Sequence, residues 1–285
     1  MIRLVEMAPR DGLQNEAHPV PTEVKIAFVD ALSDSGLPEI EVSAFVSTNA
    51  IPQLADAEAV FAGIRRAPGV IYSALVPNER GLERALGARV GKVAVFTAAS
   101  ETFNRHNINA SIEESLHRFP PVIEGARRAG LPVRGYISTA FYCPYEGKIE
   151  PEAVLEVSRR LVDLGVDELS IGDTIGRAVP GEVDRLLDRL LPVVEASRLA
   201  MHFHDTYQRA VMNVLAARRR GITIFDASTG GIGGCPYAPG ASGNVSMEMV
   251  IEALEAAGEA IPVDRGAFRR ARGVIEPSLG HPLRA

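Results

Sequence analysis

Residues 201–207, "MHFHDTY", place His202 and His204 two apart at the end of an apolar run, with Asp205 next. On a strand, residues i and i+2 share one face. Two imidazoles side by side near a carboxylate suit a divalent metal. A core histidine pair satisfied by hydrogen bonds fits the same local pattern, so the rest of the chain has to decide. In "APRDGLQNE" (8–16), a carboxylate at Asp11 could ligate a metal while the Arg10 guanidinium meets a developing oxyanion. A solvated turn with an Arg–Asp pair is the competing reading.

Glu41 interrupts an apolar run, "IEVSAF". A carboxylate directed into a core needs a partner, because an unpaired buried charge is costly. Arg10 is available. "SIGDTIG" (170–176) holds Asp173 between two glycines, where backbone can approach a ligand; a helix cap or an Asx turn fits equally. The segment "TGGIGGCPYAPGASGN" (229–244) is rich in glycine and carries Cys235. Such a loop can fold over a ligand and reopen, and it is a poor core segment, so the Cys235 thiol is read as an available acid. Asn244 could supply an oxygen ligand or cap the following helix. Arg105, His106 and Asn107 could meet a phosphate or a carboxylate. Cys143, in a second Gly/Pro loop, is read as structural or as cavity lining.

These residues need a frame that brings them together. β-type runs at 2–7, 39–45, 70–76, 92–97, 133–138, 167–171, 198–204 and 223–228 alternate with helical patterns. Those patterns fall at 22–35, 53–66, 79–88, 111–129, 151–164, 180–191, 207–219 and 245–257, with a further helix near 264–274. Eight strand-plus-helix units of roughly 30 residues each define an α/β fold, the (β/α)8 TIM barrel with an extra C-terminal helix. No nucleotide-binding glycine motif opens the first helix. The chain reads as a single catalytic domain over 1–285, with the barrel at about 2–258 and a helical extension at 259–285. In such a barrel, active-site residues occupy the C-terminal ends of strands and the loops that follow. Arg10, Asp11, Glu41, Asp173, His202, His204, Cys235 and Asn244 all fall there.

The 285 residues are 46% hydrophobic, enough for a large core, and carry a net charge of −6. That balance argues against nucleic-acid and membrane partners. Two cysteines make a disulfide framework improbable, and a reducing cytoplasmic setting is expected. The N-terminus lacks the pattern of a secretory signal.

Together, "EMAPRDGLQNE", "SAFVS…PQLADA", "CPYEGKI", "SIGDTIG", "HFHDTY" and "GGIGGCPYAPGASGN" resemble the 3-hydroxy-3-methylglutaryl-CoA lyase family, over about residues 3–258. The resemblance implies a metal-dependent TIM barrel that cleaves this acyl-CoA thioester to acetyl-CoA and acetoacetate with Mg2+ or Mn2+. It implies metal ligands at Asp11, His202, His204 and Asn244. Arg10 would stabilise the enolate and Cys235 would be the mobile-loop cysteine. Glu41, Asp173 and Glu248 would be further active-site carboxylates, and substrate contacts would come from Arg10, Gln14, Glu41 and Asn107. Asp11, His202 and Asp173 all remain candidate bases. A homodimer or homotetramer and a place in leucine degradation are also implied. The chain has Thr48, Asn49 and Ala50 where the family usually has Pro-Lys-Trp, and Ala17 where lysine is frequent. Those differences bear on the acyl group more than on the reaction type, so a lyase or aldolase for a related branched substrate is the alternative. A CoA-ester-binding protein without turnover is the third reading.

Overall fold

A computed structural model describes residues 1–47, 51–234 and 243–283. The barrel strands are β1 (Arg3–Glu6), β2 (Glu39–Ala44), β3 (Ile71–Leu75), β4 (Lys92–Ala98), β5 (Val133–Ser138), β6 (Glu168–Asp173), β7 (Leu199–Phe203) and β8 (Ile224–Ala227). They close into a barrel in chain order, β1 pairing with both β2 and β8, and the neighbours run parallel. Strands covered on both faces can be near-continuously apolar, and β2, β6 and β7 are buried at every position.

The surrounding helices are α1 (Thr22–Ser33), α2 (Ala57–Gly63), α3 (Glu79–Gly87), α4 (Glu101–Ile108), α5 (Ile112–His117), α6 (Pro120–Arg128), α7 (Pro151–Asp163), α8 (Pro180–Leu190), α9 (Ala210–Arg219), α10 (Met247–Ala256) and α11 (Arg265–Leu279). Two segments differ from the sequence reading. The expected helix at 111–129 divides at Arg118–Phe119, because Pro120 cannot continue the α5 hydrogen-bond ladder and instead starts α6. The segment before it, read as a loop, contains α4, capped by Ser100 accepting from the Phe103 amide at 3.0 Å. The C-terminal helix α11 packs against α1 and runs past the expected end at 274. Among the described residues, no helix is long and apolar enough to cross a membrane.

One apolar core lies between strands and helices. A smaller one, including Val5, Met7, Ala44, Ala94 and Ala200, fills part of the barrel interior. The rest of that interior is charged. Lys92 bridges Glu39 at 3.0 Å and Glu168 at 2.9 Å. Arg134 bridges Glu168 at 3.1 Å and Asp226 at 2.6 Å, and Arg3 joins Glu39 and Glu168. Each of the buried charges here, Glu39, Lys92, Arg134, Glu168 and Asp226, has an opposite charge as partner, the condition under which ions are tolerated away from water.

Candidate active site

The β1 strand leads into one wide helical turn, Ala8–Gly12. Both the Asp11 and Gly12 amides donate to the Met7 carbonyl, at 2.9 and 3.1 Å. A bond to the fifth residue back widens the turn. Glu6 anchors it: its carboxylate accepts from the amides of Ala8 and Thr229, each at 2.9 Å, and from the Thr229 hydroxyl. Burial raises the Glu6 carboxyl to about 7 despite these bonds. The end of β1 is thereby fastened to the end of β8.

Arg10 leaves this turn and donates Nε to Glu41 Oε2 and Nη1 to Asp11 Oδ1, both at 2.6 Å. Its guanidinium lies 5.3 Å from the centroid of the Tyr136 ring. Burial works against its charge, but Glu41 and Asp11 outweigh burial and hold it firmly protonated. Glu41 is fully buried and is not among the residues lining the cavity described below. Burial raises its pKa, with Arg10 opposing. For Asp11, burial is outweighed by Arg10, His202 and His204, which bring the carboxyl down to about 2.

His202 and His204 face Asp11 from β7 and the residue just after it. Their ring centroids are 5.2 Å apart. His202 Nε2 lies 3.9 Å from Asp11 Oδ2, while Nδ1 lies 3.3 Å from Asp226 Oδ2. Burial favours neutral His202, but Asp226 and Asp11 overcome that and raise its pKa. Burial and the neighbouring His202 lower His204 to about 4, so it is a neutral imidazole near neutral pH. Asn244 forms a bridge with His204 and donates Nδ2 to Asp11 Oδ2 at 2.9 Å and to the Ile232 carbonyl at 3.2 Å. One donor atom each from Asp11, His202 and His204 lies within 4.8 Å of the others. A carboxylate, two imidazoles and an adjacent amide form a mixed N/O donor set that fits a divalent cation.

A cavity of about 560 Å³ opens from this cluster. Arg10, Asp11, His202 and His204 line one part. Gln14 and Asn107 also line it, as the sequence reading expected of substrate-contacting residues, although Asn107 is on helix α4 rather than in a loop. Val46, Leu75, Phe96, Phe103, Ile108 and Phe119 provide an apolar wall. Gly234 is also at the cavity; the next residue, Cys235, lies outside the described residues, as do Thr48–Ala50.

Asp173 differs from the sequence reading. It is the last residue of β6, and its carboxylate accepts from the amides of Arg177 and Ala178 at 3.1 and 3.0 Å. Strand alternation sends Ser170 and Gly172 to the cavity and Asp173 to the other side. Burial raises its carboxyl to about 7, and it is not among the residues lining the cavity. Glu248 accepts from the Gly230 amide at 2.9 Å and the Ser246 hydroxyl at 2.8 Å. Cys143 is buried, accepts from Ser100 Oγ at 3.0 Å and lines no part of this cavity. Sequence reasoning missed Tyr136, Ser170 and Asp226. The argument applied to Glu41, a charge inside an apolar strand, applies equally to Asp226 in "TIFDAS".

A parallel (β/α)8 barrel with this donor set at the C-terminal ends of its strands defines a barrel enzyme with a candidate divalent-metal centre. The family described as HMGL-like matches residues 1–275. The cytoplasmic 3-hydroxy-3-methylglutaryl-CoA lyase of Danio rerio is 51% identical over 263 residues, 92% of this chain and 78% of that protein. A 3-hydroxy-3-isohexenylglutaryl-CoA/hydroxy-methylglutaryl-CoA lyase of Pseudomonas aeruginosa is 52% identical over 253 residues, 89% of this chain and 84% of that protein. The crystal structure of the HMG-CoA lyase from Brucella melitensis superimposes with a TM-score of 0.96 at 48% identity, covering 98% of this chain and 99% of that one. The chain belongs to the HMGL-like family, among the 3-hydroxy-3-methylglutaryl-CoA lyases.

Proposed function

We propose that this protein cleaves 3-hydroxy-3-methylglutaryl-CoA to acetyl-CoA and acetoacetate. The observation that carries this reading is the convergence of Arg10 with Asp11, His202 and His204 on one cavity. Asp11, His202, His204 and Asn244 would hold Mg2+ or Mn2+. When bound, such a cation supplies Lewis-acid polarisation of substrate oxygens.

The remaining steps belong to the chain. The tertiary hydroxyl loses its proton to a base at the cavity; Asp11 and His202 line it, and either can accept only through an atom the metal does not hold. The bond between C2 and C3 breaks, C3 becomes the ketone of acetoacetate, and the electron pair moves to the thioester as an enolate. Arg10, pinned by Glu41 and Asp11, presents a fixed positive charge for the enolate oxygen. Protonation of the enolate carbon completes acetyl-CoA, and Cys235 is the thiol assigned to donate that proton. Gln14 and Asn107 line the cavity where the acyl-CoA would lie. We place the enzyme in the cytoplasm as a homodimer or homotetramer, and its reaction in leucine breakdown.

A second reading has one observation in its favour. The apolar wall around Phe96, Phe103 and Phe119 could take a C3 substituent longer than methyl, the kind of acyl group named for the Pseudomonas aeruginosa relative. The test is to follow acetyl-CoA and acetoacetate from 3-hydroxy-3-methylglutaryl-CoA with Mg2+, with and without EDTA. EDTA-sensitive cleavage, lost in His202→Ala and Cys235→Ala, is the expected result. No cleavage of this substrate but turnover of longer C3-branched analogues would replace the first reading with the second.

A further inference from the structure

The polar structure around the histidine pair continues behind it. His202 directs Nδ1 at Oδ2 of Asp226, its register partner on β8. Asp226 is 2% exposed and is not among the residues lining the cavity, so substrate does not reach it. Its two oxygens have separate partners. Oδ1 accepts from Arg134 Nη2 at 2.6 Å, while Oδ2 accepts from Ser170 Oγ at 2.8 Å and faces His202 at 3.3 Å. Arg134 is itself held by Glu168.

A neutral imidazole has one donor nitrogen and one acceptor nitrogen. With Nδ1–H given to Asp226, Nε2 keeps its lone pair and faces Asp11, as a metal-ligating histidine requires. Neutralising Arg134 would need only the Oδ1 contact. The second oxygen, steered by Ser170, is committed to the histidine.

We propose that Asp226 is a positioning residue for the metal centre: it fixes His202 with Nε2 forward, and Ser170 and Arg134 hold it in place. This rests on the reading of Asp11, His202 and His204 as metal ligands.

Two measurements on the purified full-length chain test it together. Proton–nitrogen correlation spectra of 15N-labelled, metal-free protein at mildly alkaline pH report which ring nitrogen of His202 carries the proton, with His202→Gln assigning the signals. Titration calorimetry reports Mn2+ affinity. The parent is expected to carry the proton on Nδ1. Asp226→Asn is expected to mix the tautomers and weaken Mn2+ binding by about 10- to 100-fold. A parent imidazole protonated on Nε2 overturns the assignment, and so does unchanged Mn2+ affinity in Asp226→Asn. Weakened binding with the tautomer unchanged also overturns it, because the effect would then be one of charge alone. If Asp226→Asn does not fold, Ser170→Ala leaves the Arg134 pair whole. It is expected to weaken Mn2+ by about 5-fold, the worth of one hydrogen bond, and unchanged affinity there overturns the proposal. A parent that binds no Mn2+ removes the underlying metal reading instead.

Discussion

In the proposed reaction, Arg10 is the side chain on which the chemistry depends most directly. Its two hydrogen bonds, to Glu41 and Asp11, leave the guanidinium no freedom to follow a substrate. A preorganised cation of this kind lowers the barrier because it need not reorient as charge develops. Arg10→Met is expected to lower kcat by about 10²- to 10³-fold with a much smaller change in KM, the mark of an interaction made mainly in the transition state. Arg10→Lys keeps the charge but not the planar fork and should fall between. Steady-state cleavage kinetics decide the matter, and a kcat for Arg10→Met within tenfold of the parent would remove Arg10 from the mechanism. Spacing and loop position were enough to single out Arg10, Asp11, His202, His204 and Asn244 as candidates. They were not enough for Asp173, because which side of a strand a residue faces depends on the strand's exact parity, and Asp173 ends β6 instead of following it.

The turn Ala8–Gly12 is the element that aims these groups, and two substitutions probe it. A Cβ on Gly12 would meet the Ile232 carbonyl oxygen and Cγ2, each at 2.9 Å. Backbone cannot yield cheaply there, so Gly12→Ala is expected to cost about 1–3 kcal/mol in denaturant unfolding and to depress activity. Glu6 gives a pH signature. Burial raises its carboxyl from an ordinary 4.5 to about 7, so the folded protein holds this proton more tightly than the unfolded chain. The resulting stabilisation is full below 4.5 and is lost as pH rises through 7. Glu6→Gln lacks the titration. Its stability relative to the parent should therefore climb between pH 4.5 and 7, by roughly 3 kcal/mol at most. Urea unfolding of both proteins at several pH values checks this, and a constant difference would refute it. The helix that sequence periodicity missed, α4, shows why some elements were illegible. "ETFNRHNI" buries only Phe103 and Asn104, so no apolar stripe marks it. Its cap at Ser100 and the Asn104 side-chain bonds to the Ala110 and Ser111 carbonyls hold it in place.

At the scale of the whole molecule, the eight strand–helix units were legible because each carries its own local pattern. The charged barrel interior was not, because its pairs join distant strands: Lys92 with Glu168 and Arg134 with Asp226. Only closure of the barrel brings them together. That closure also makes the proposed metal centre a property of the entire fold, since Asp11 follows β1, the histidines sit at the end of β7 and Asn244 follows β8. A ligand bound by such residues is bound by the folded chain and not by the unfolded one, so binding must raise stability. With Mn2+ at a hundredfold over its Kd, the gain is about 2.7 kcal/mol. For a domain of this size, that corresponds to a rise in Tm of roughly 4–5 °C. EDTA should abolish the rise. His204→Gln should abolish it as well at the same Mn2+ concentration while leaving the metal-free Tm close to the parent's, because among the described residues His204 forms no ion pair. Melting curves of the two proteins with Mn2+ and with EDTA are sufficient. A Tm indifferent to Mn2+ in the parent, or a rise that survives His204→Gln, would mean that Asp11, His202 and His204 do not form the metal centre.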